Sequence, residues 1–259
     1  MVSDMHHMFS FVCYFVCYFD HEKIFIPSFS HQILEGLNIM KKIFLTMAIV
    51  LSFLSIMALS SEEGSKISGE QALVKLMDGN ARFSSGNASH PDQTFERRSE
   101  LVAGQQPFAV VVGCSDSRIP PEVIFDQGLG DIFVIRTAGQ VMDNVTIASI
   151  EYAVEHLGVP LVVVLGHDSC GAVTAAVKGG EVEGHLDSLV DYIAPAVHEA
   201  KETGNESELL DNSIDNNIFN IVDELETSEP VLSEKVAEGE LMVVGARYHL
   251  DSGEVEVFE

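Results

Sequence analysis

The chain has 259 residues, of which 46% are hydrophobic and 21% are charged. This composition supports a sizeable core in one or two domains and excludes disorder of the whole chain. Lysine and arginine together number 14 against 40 for aspartate and glutamate, a formal net charge of −26. Such a balance argues against a nucleic-acid partner, because binding phosphates requires a basic face. Four cysteines are too few for a disulfide scaffold.

The first 60 residues differ in character from the rest. In residues 40–60 two lysines precede an apolar run that ends in small residues up to Ser60. This layout is typical of a secretory signal peptide cleaved after Ser60, and the run is short for a spanning helix, which needs about 20 residues. We therefore expect export to the periplasm or the extracellular space, with no membrane contact after cleavage. An uncleaved membrane anchor is the alternative.

Residues 1–39 show no clear periodicity, and Met40 is a good candidate for the real start of the protein. We interpret 1–39 as an upstream extension outside the fold. Cys13 and Cys17 have a CxxxC spacing, but a second half of a metal site is not found nearby. The expected mature domain is 61–259.

The elements of that domain alternate between strands and helices. Continuous apolar runs predict strands buried on both faces, at 107–114, 131–136, 160–167 and 241–248. Periodic patterns predict helices at 68–86, 95–103, 145–157, 170–177, 186–202 and 213–226. A capping box from Ser68 to Gln71 begins the first helix, and a turn at 251–253 leads into a short edge strand. The expected fold is α/β with a mainly parallel sheet of four to five strands.

Two cysteines of this domain lie just past the carboxyl ends of predicted strands, where open α/β sheets place their sites. His167 precedes Cys170 by three residues, and Asp116 follows Cys114 by two. Two thiolates and an imidazole suit a tetrahedral zinc ion, and three protein ligands leave the fourth position open, as in catalytic sites. From spacing alone, a disulfide and a pair of buried thiols remain alternatives.

Three motifs occur together in this order: CSDSR at 114–118, VIRTAG at 134–139 and GHDSCGA at 166–172. The set resembles the β-class of carbonic anhydrases, and the resemblance runs from about Gln71 to the end of the chain. It implies the fold of that family, one Zn²⁺ per chain, and the interconversion of CO2 plus water with bicarbonate plus a proton.

The resemblance also implies roles for single residues. The zinc ligands fall on Cys114, His167 and Cys170, and zinc-bound hydroxide would attack CO2. Asp116 would accept the hydroxide proton, while Arg118 would hold that carboxylate by a bidentate pair. If Arg118 released it, Asp116 could become the fourth zinc ligand in a closed form.

Pocket residues and assembly are implied in the same way. The substrate pocket would use Gln105, offered by a neighbouring subunit, together with Phe133, Ala138 and Tyr152. Phe133 and Tyr152 are equally well explained as core residues of a strand and a helix. The resemblance implies a homodimer or homotetramer in which the helix at 68–86 lies over the partner.

Two other functions remain open on the sequence. A hydrolase of carbonyl sulfide or carbon disulfide would have the same metal centre with a different pocket. A non-catalytic zinc or thiol module is the other alternative, although Asp116 and Arg118 argue against it, since a structural site needs neither residue.

Overall fold

A computed structural model describes residues 67–180, 182–203 and 205–258. The predicted signal peptide at 40–60 and the predicted extension at 1–39 lie outside the described residues. Within the described part of the chain, no helix combines the length and the apolar character needed to cross a membrane.

The centre of the fold is a five-stranded sheet. Its strands are β1 (Ala109–Cys114), β2 (Ile132–Thr137), β3 (Leu161–His167), β4 (Met242–Tyr248) and β5 (Val255–Val257). They are arranged in the order β2-β1-β3-β4-β5. The first four pair in parallel, and β5 pairs antiparallel with β4. The predicted α/β class, the mainly parallel sheet and the short edge strand are confirmed.

Helices connect these strands and pack on the sheet. Those with predicted counterparts are α1 (Gly69–Ser84), α2 (Phe95–Glu100), α4 (Asn144–Leu157), α5 (Gly171–Lys178), α6 (Leu186–Thr203) and α7 (Leu209–Glu226). The capping box forms as expected, because the Ser68 hydroxyl accepts from the Gln71 N–H and the Gln71 side chain accepts from the Ser68 N–H. Two short helices were not predicted, α3 (Pro121–Ile124) and α8 (Val231–Ala237). Four and seven residues are too few to show a clear helical period.

The burial of the strands explains their apolar sequences. Every residue of β1 and of β3 is buried, as expected for strands covered on both faces. β2 is an edge strand and all six of its residues are only half-buried, so the prediction of full burial is wrong for this strand. Because β1 and β3 are parallel neighbours, their carboxyl ends lie side by side and bring the loops that follow them together.

Candidate metal centre and active site

The three predicted zinc ligands form one buried cluster. Cys114 ends β1, His167 ends β3, and Cys170 immediately precedes α5. The two sulfur atoms lie 4.0 Å apart, and one ligand atom from each of the three residues lies within 4.8 Å of the others. Both cysteines are free thiols, so the alternative of a disulfide is not supported. Among the described residues, this is the group of His, Cys, Asp and Glu side chains arranged to hold a metal ion.

The imidazole of His167 supports the fit to zinc independently. His167 is fully buried, and its Nδ1 lies 2.9 Å from the Asp168 carbonyl oxygen, to which it donates if Nδ1 carries the proton. Its Nε2 is buried without a hydrogen-bond partner in the described structure. A buried polar atom left unpaired is costly, whereas a carbonyl-anchored imidazole with a free second nitrogen is the usual arrangement of a metal ligand. The donor set and this orphaned atom therefore fit a zinc ion.

Hydrogen bonds favour a thiolate at Cys114. The Cys170 thiol and the Gly139 N–H at 3.2 Å lower the pKa of the Cys114 thiol against the opposing effect of burial. The pKa of Cys170 is raised by the neighbouring Cys114 sulfur and by burial, although N–H groups at the start of α5 favour its thiolate. Metal ligation requires both thiolates, so a zinc ion bound at this pair would have to displace the remaining thiol proton.

Asp116 and Arg118 form a bidentate ion pair beside the cluster. The Arg118 Nε and Nη2 donate to the two carboxylate oxygens at 2.9 and 2.7 Å, and the Arg118 backbone N–H donates to Oδ1 at 2.9 Å. The Arg118 guanidinium holds the pKa of Asp116 far below its usual range. Asp116 is thus ionised and held in one orientation. Its carboxylate oxygens do not belong to the group of clustered ligand atoms.

Comparisons with known proteins agree with this geometry. The carbonic anhydrase family model matches residues 109–255. Carbonic anhydrase 2 of Mycobacterium tuberculosis is 46% identical over 182 residues, covering 69% of this chain and 87% of that protein. A carbonic anhydrase of Mycolicibacterium smegmatis is 46% identical over 186 residues, covering 70% and 89%. A chain from the crystal structures of two tetrameric β-carbonic anhydrases of Sordaria macrospora is similar with a TM-score of 0.59 and 28% identity, covering 72% of this chain and 96% of that one.

The chain belongs to the β-carbonic anhydrase family. The family assignment and the Cys–His–Cys cluster confirm the predicted function, a zinc-dependent carbonic anhydrase, and the predicted cofactor.

The predicted pocket residues of this β-carbonic anhydrase lie in different surroundings. Phe133 is half-buried on β2, and Tyr152 on α4 is 47% exposed, with the two ring centroids 6.4 Å apart. Tyr152 is therefore not a core residue of the single chain. Ala138 is half-buried directly after β2, and Gln105 is exposed in the loop before β1. The structure brings Phe133 and Tyr152 together, whereas Gln105 lies on the surface.

One residue of the site was missed by sequence reasoning although it lies inside a recognised motif. Arg136, the third residue of VIRTAG, donates from Nε to the Cys114 carbonyl at 2.9 Å and from Nη2 to the Asp116 carbonyl at 2.5 Å. It therefore fixes the backbone of the segment that carries both a predicted zinc ligand, Cys114, and the acidic residue Asp116. An arginine in an otherwise apolar strand was the available signal.

Proposed function

We propose that Cys114, His167 and Cys170 are the zinc ligands with which this chain hydrates CO2, and that Asp116 orients the attacking water. The observation that carries this assignment is the cluster itself, three ligand atoms within 4.8 Å of one another beside an oriented carboxylate. When bound, zinc would supply the Lewis acidity that makes water a nucleophile, and a carbonic anhydrase with three histidine ligands is the standard example of that chemistry. Two thiolate ligands cancel the formal charge of zinc, so we expect the nucleophile to form at higher pH here than at a three-histidine site.

Asp116 has a free acceptor position for this task. Its Oδ1 accepts two hydrogen bonds from Arg118, whereas its Oδ2 accepts one at 2.7 Å. A carboxylate oxygen has two lone-pair sites, so Oδ2 retains one that can accept a hydrogen bond from the O–H of the nucleophile. Since an ionised carboxylate only accepts, it turns a lone pair of the nucleophilic oxygen towards CO2. Arg118 keeps the acceptor in place, and in the closed form it would have to release Asp116 to the metal.

CO2 is small and apolar, so it needs mainly an apolar wall and a polar contact to one oxygen. Phe133 and Tyr152 are in contact range of each other and would form part of that wall with Ala138. Gln105 would supply the polar contact from a second copy of the chain, in keeping with its exposed position.

A homodimer or homotetramer is the assembly that we propose. A surface groove of about 460 Å³ is lined by Leu101, Val102, Ala103 and Leu129 together with two glycines, Gln105 and Arg98. Val102 and Leu129 of this groove are 87% and 45% exposed, and the neighbouring Phe95 is 67% exposed. Large exposed apolar side chains grouped in this way are typical of protein–protein contacts. The half-buried edge strand β2 is a further surface that a second copy would cover.

Export is proposed on the sequence of residues 40–60 alone, where positive, apolar and small residues follow one another as in a signal peptide. Expression of the full chain in a bacterial host tests this proposal. Amino-terminal sequencing of protein from the periplasmic fraction should find a start at Ser61, and retention of the full leader on membranes would favour the anchor instead.

The residue roles are tested by two variants measured with their zinc content. Cys170→Ser should lose both bound zinc and CO2 hydration. Asp116→Asn should keep one zinc per chain and lose most of the hydration rate, because an amide retains the shape but not the charge. An Asp116→Asn protein with the full rate would remove Asp116 from the mechanism.

A further inference from the structure

A second arginine–aspartate pair adjoins the candidate metal centre through the residue that follows His167. Arg247 is on β4, opposite Gly166 of β3, and Asp168 is the first residue after β3. The guanidinium contacts Asp168 Oδ1 through both Nε and Nη2, at 2.7 Å in each case. The Arg247 side chain is only 11% exposed, so this pair is largely shielded from solvent.

The same guanidinium also binds two carboxylates of α7. Nη2 donates to Asp211 at 2.6 Å and Nη1 donates to Asp215 at 3.0 Å. Burial alone would lower the pKa of Arg247, but the hydrogen bonds to Asp211, Asp168 and Asp215 raise it. The guanidinium of Arg247 therefore connects β4 with α7 and with the loop after β3. A lysine could not make these contacts, because it lacks the planar arrangement of donors.

Asp168 in turn is held at every polar atom. Its Oδ2 accepts from the Leu250 N–H at 3.2 Å and lies 3.3 Å from His249 Nδ1. Its backbone N–H donates to the Tyr248 carbonyl at 3.1 Å. The remaining polar group is the Asp168 carbonyl, which contacts His167 Nδ1 at 2.9 Å. The carbonyl that orients the imidazole is thus fixed through the side chain of its own residue.

We propose that Arg247, acting through Asp168, is a positioning residue of the zinc site. The Arg247–Asp168 pair fixes the peptide plane whose carbonyl sets the ring orientation of His167 and so presents Nε2 to the metal. Groups that hold a metal-bound histidine in this way typically change metal affinity about 10- to 100-fold when they are altered. Arg247 itself touches none of the three proposed ligands through the hydrogen bonds found in the described structure.

A purely structural role is the competing explanation, since Arg247 also fastens α7 to the sheet. The chain offers matched controls for it. Asp211→Asn and Asp215→Asn weaken the contacts of the same guanidinium with α7. They leave intact the contacts that lead from Arg247 through Asp168 to His167. Asp168→Asn and Arg247→Lys disturb the Arg247–Asp168 contacts themselves. A structural role lowers stability in all four variants without a separate effect on the metal.

The experiment measures the zinc dissociation constant by competition with a chromophoric chelator, next to the unfolding midpoint of the metal-free protein. All variants are made in the full chain with Cys13→Ser and Cys17→Ser, so that the two site cysteines are the only thiols. We expect the dissociation constant to rise at least about tenfold in Asp168→Asn and Arg247→Lys. We expect it to stay at the starting value in Asp211→Asn and Asp215→Asn. The visible absorption of the cobalt(II) form should change in the first pair alone, because it reports ligand geometry.

Unchanged zinc affinity and cobalt spectra in Asp168→Asn would overturn the inference. Asp168→Asn carries the test if Arg247→Lys does not fold. The inference rests on the proposed zinc ligands, and the two fail differently. A starting protein that binds no zinc contradicts the ligand assignment, whereas tight zinc binding in every variant contradicts only the positioning role.

Discussion

Arg118 holds both oxygens of the Asp116 carboxylate, through Nε and the backbone N–H to Oδ1 and through Nη2 to Oδ2. The carboxylate is therefore fixed beside the Cys–His–Cys cluster without joining it. Since the two residues are separated by one position, the loop after β1 carries the acidic group together with the cation that restrains it. At the proposed zinc site, one short segment therefore carries Asp116 and the group that controls its position.

Replacement of Arg118 should remove this control. Arg118→Ala lets the pKa of Asp116 return upward towards about 3.9, so the carboxylate stays ionised at neutral pH but loses its fixed direction. We expect the CO2 hydration rate at pH 7.5 to fall about tenfold or more with zinc still bound, as is typical for loss of a group that orients a catalytic residue. Arg118→Lys is the control, since it keeps the charge without the fork. Full activity of Arg118→Ala at pH 7.5 would refute the role.

Asp126 should govern part of the acid stability. Its carboxylate is buried and accepts hydrogen bonds from the backbone of Ser89 and His90 and from Arg82. Burial would raise the pKa of Asp126, but these hydrogen bonds outweigh it and lower the pKa well below its usual range. A carboxyl whose pKa is lower in the folded state than in the unfolded state stabilises the folded protein at pH values above its unfolded pKa of about 3.9. This contribution to the free energy of unfolding is lost as the pH falls from there towards the folded-state pKa.

Asp126→Asn should therefore lower the free energy of unfolding at pH 7 by about 2 kcal/mol or more, the size of a lost charged hydrogen bond. It should also flatten the loss of stability between about pH 4 and pH 2, because the titrating group is gone. Urea unfolding at several pH values measures both effects. A loss of unfolding free energy at acid pH identical to that of the parent protein would contradict this explanation.

Gly139 occupies a position that excludes a side chain. Its φ is +67°, and a Cβ would lie 2.9 Å from both Ala172 Cβ and Ile193 Cδ1. Its N–H also donates to Cys114 Sγ. We expect Gly139→Ala to destabilise the protein by about 1–3 kcal/mol and to weaken zinc retention. Gly86→Ala is the control, because Gly86 also has a positive φ but a Cβ there would meet no atom within 4 Å, and it should leave zinc binding unchanged. Equal zinc retention in the two variants would contradict the link to Cys114.

The proposed assembly depends on the groove that is lined by Val102, Leu129 and Gln105. Val102→Glu places a charge on a side chain that is 87% exposed in the single chain, so the monomer should fold normally. If a second copy covers this groove, burying the new carboxylate is costly, and the complex should dissociate. Light scattering after size-exclusion chromatography measures the mass. Leu186→Glu, at an apolar side chain 54% exposed elsewhere, is the control. An unchanged mass for Val102→Glu would remove this surface from the interface.

Local sequence was sufficient to predict the residues that the structure brings together at and beside the candidate metal centre. Cys114, Asp116 and Arg118 lie within five positions of one another, and His167 and Cys170 within four, so their types and spacing carry the chemistry. The strands were equally clear, because burial on both faces requires continuous apolar runs.

Residues that act through contacts distant in sequence could not be found in this way. Arg247 meets Asp168 across 79 positions and Arg136 meets Cys114 across 22, and both pairings depend on the order of the strands. The half-buried state of β2 also follows from its place at the edge of the sheet, which its composition does not show.

The most direct test of the central claim is stopped-flow hydration of CO2 at pH 8.5 by the zinc-loaded protein, with the chelator-treated protein as the control. We expect a rate well above that of the buffer, lost on zinc removal and restored when zinc is added back. Carbonyl sulfide, supplied to the same samples, should react much more slowly. A protein with one zinc per chain and no CO2 hydration above buffer would contradict the assignment, and turnover of carbonyl sulfide in that sample would identify the related hydrolase instead.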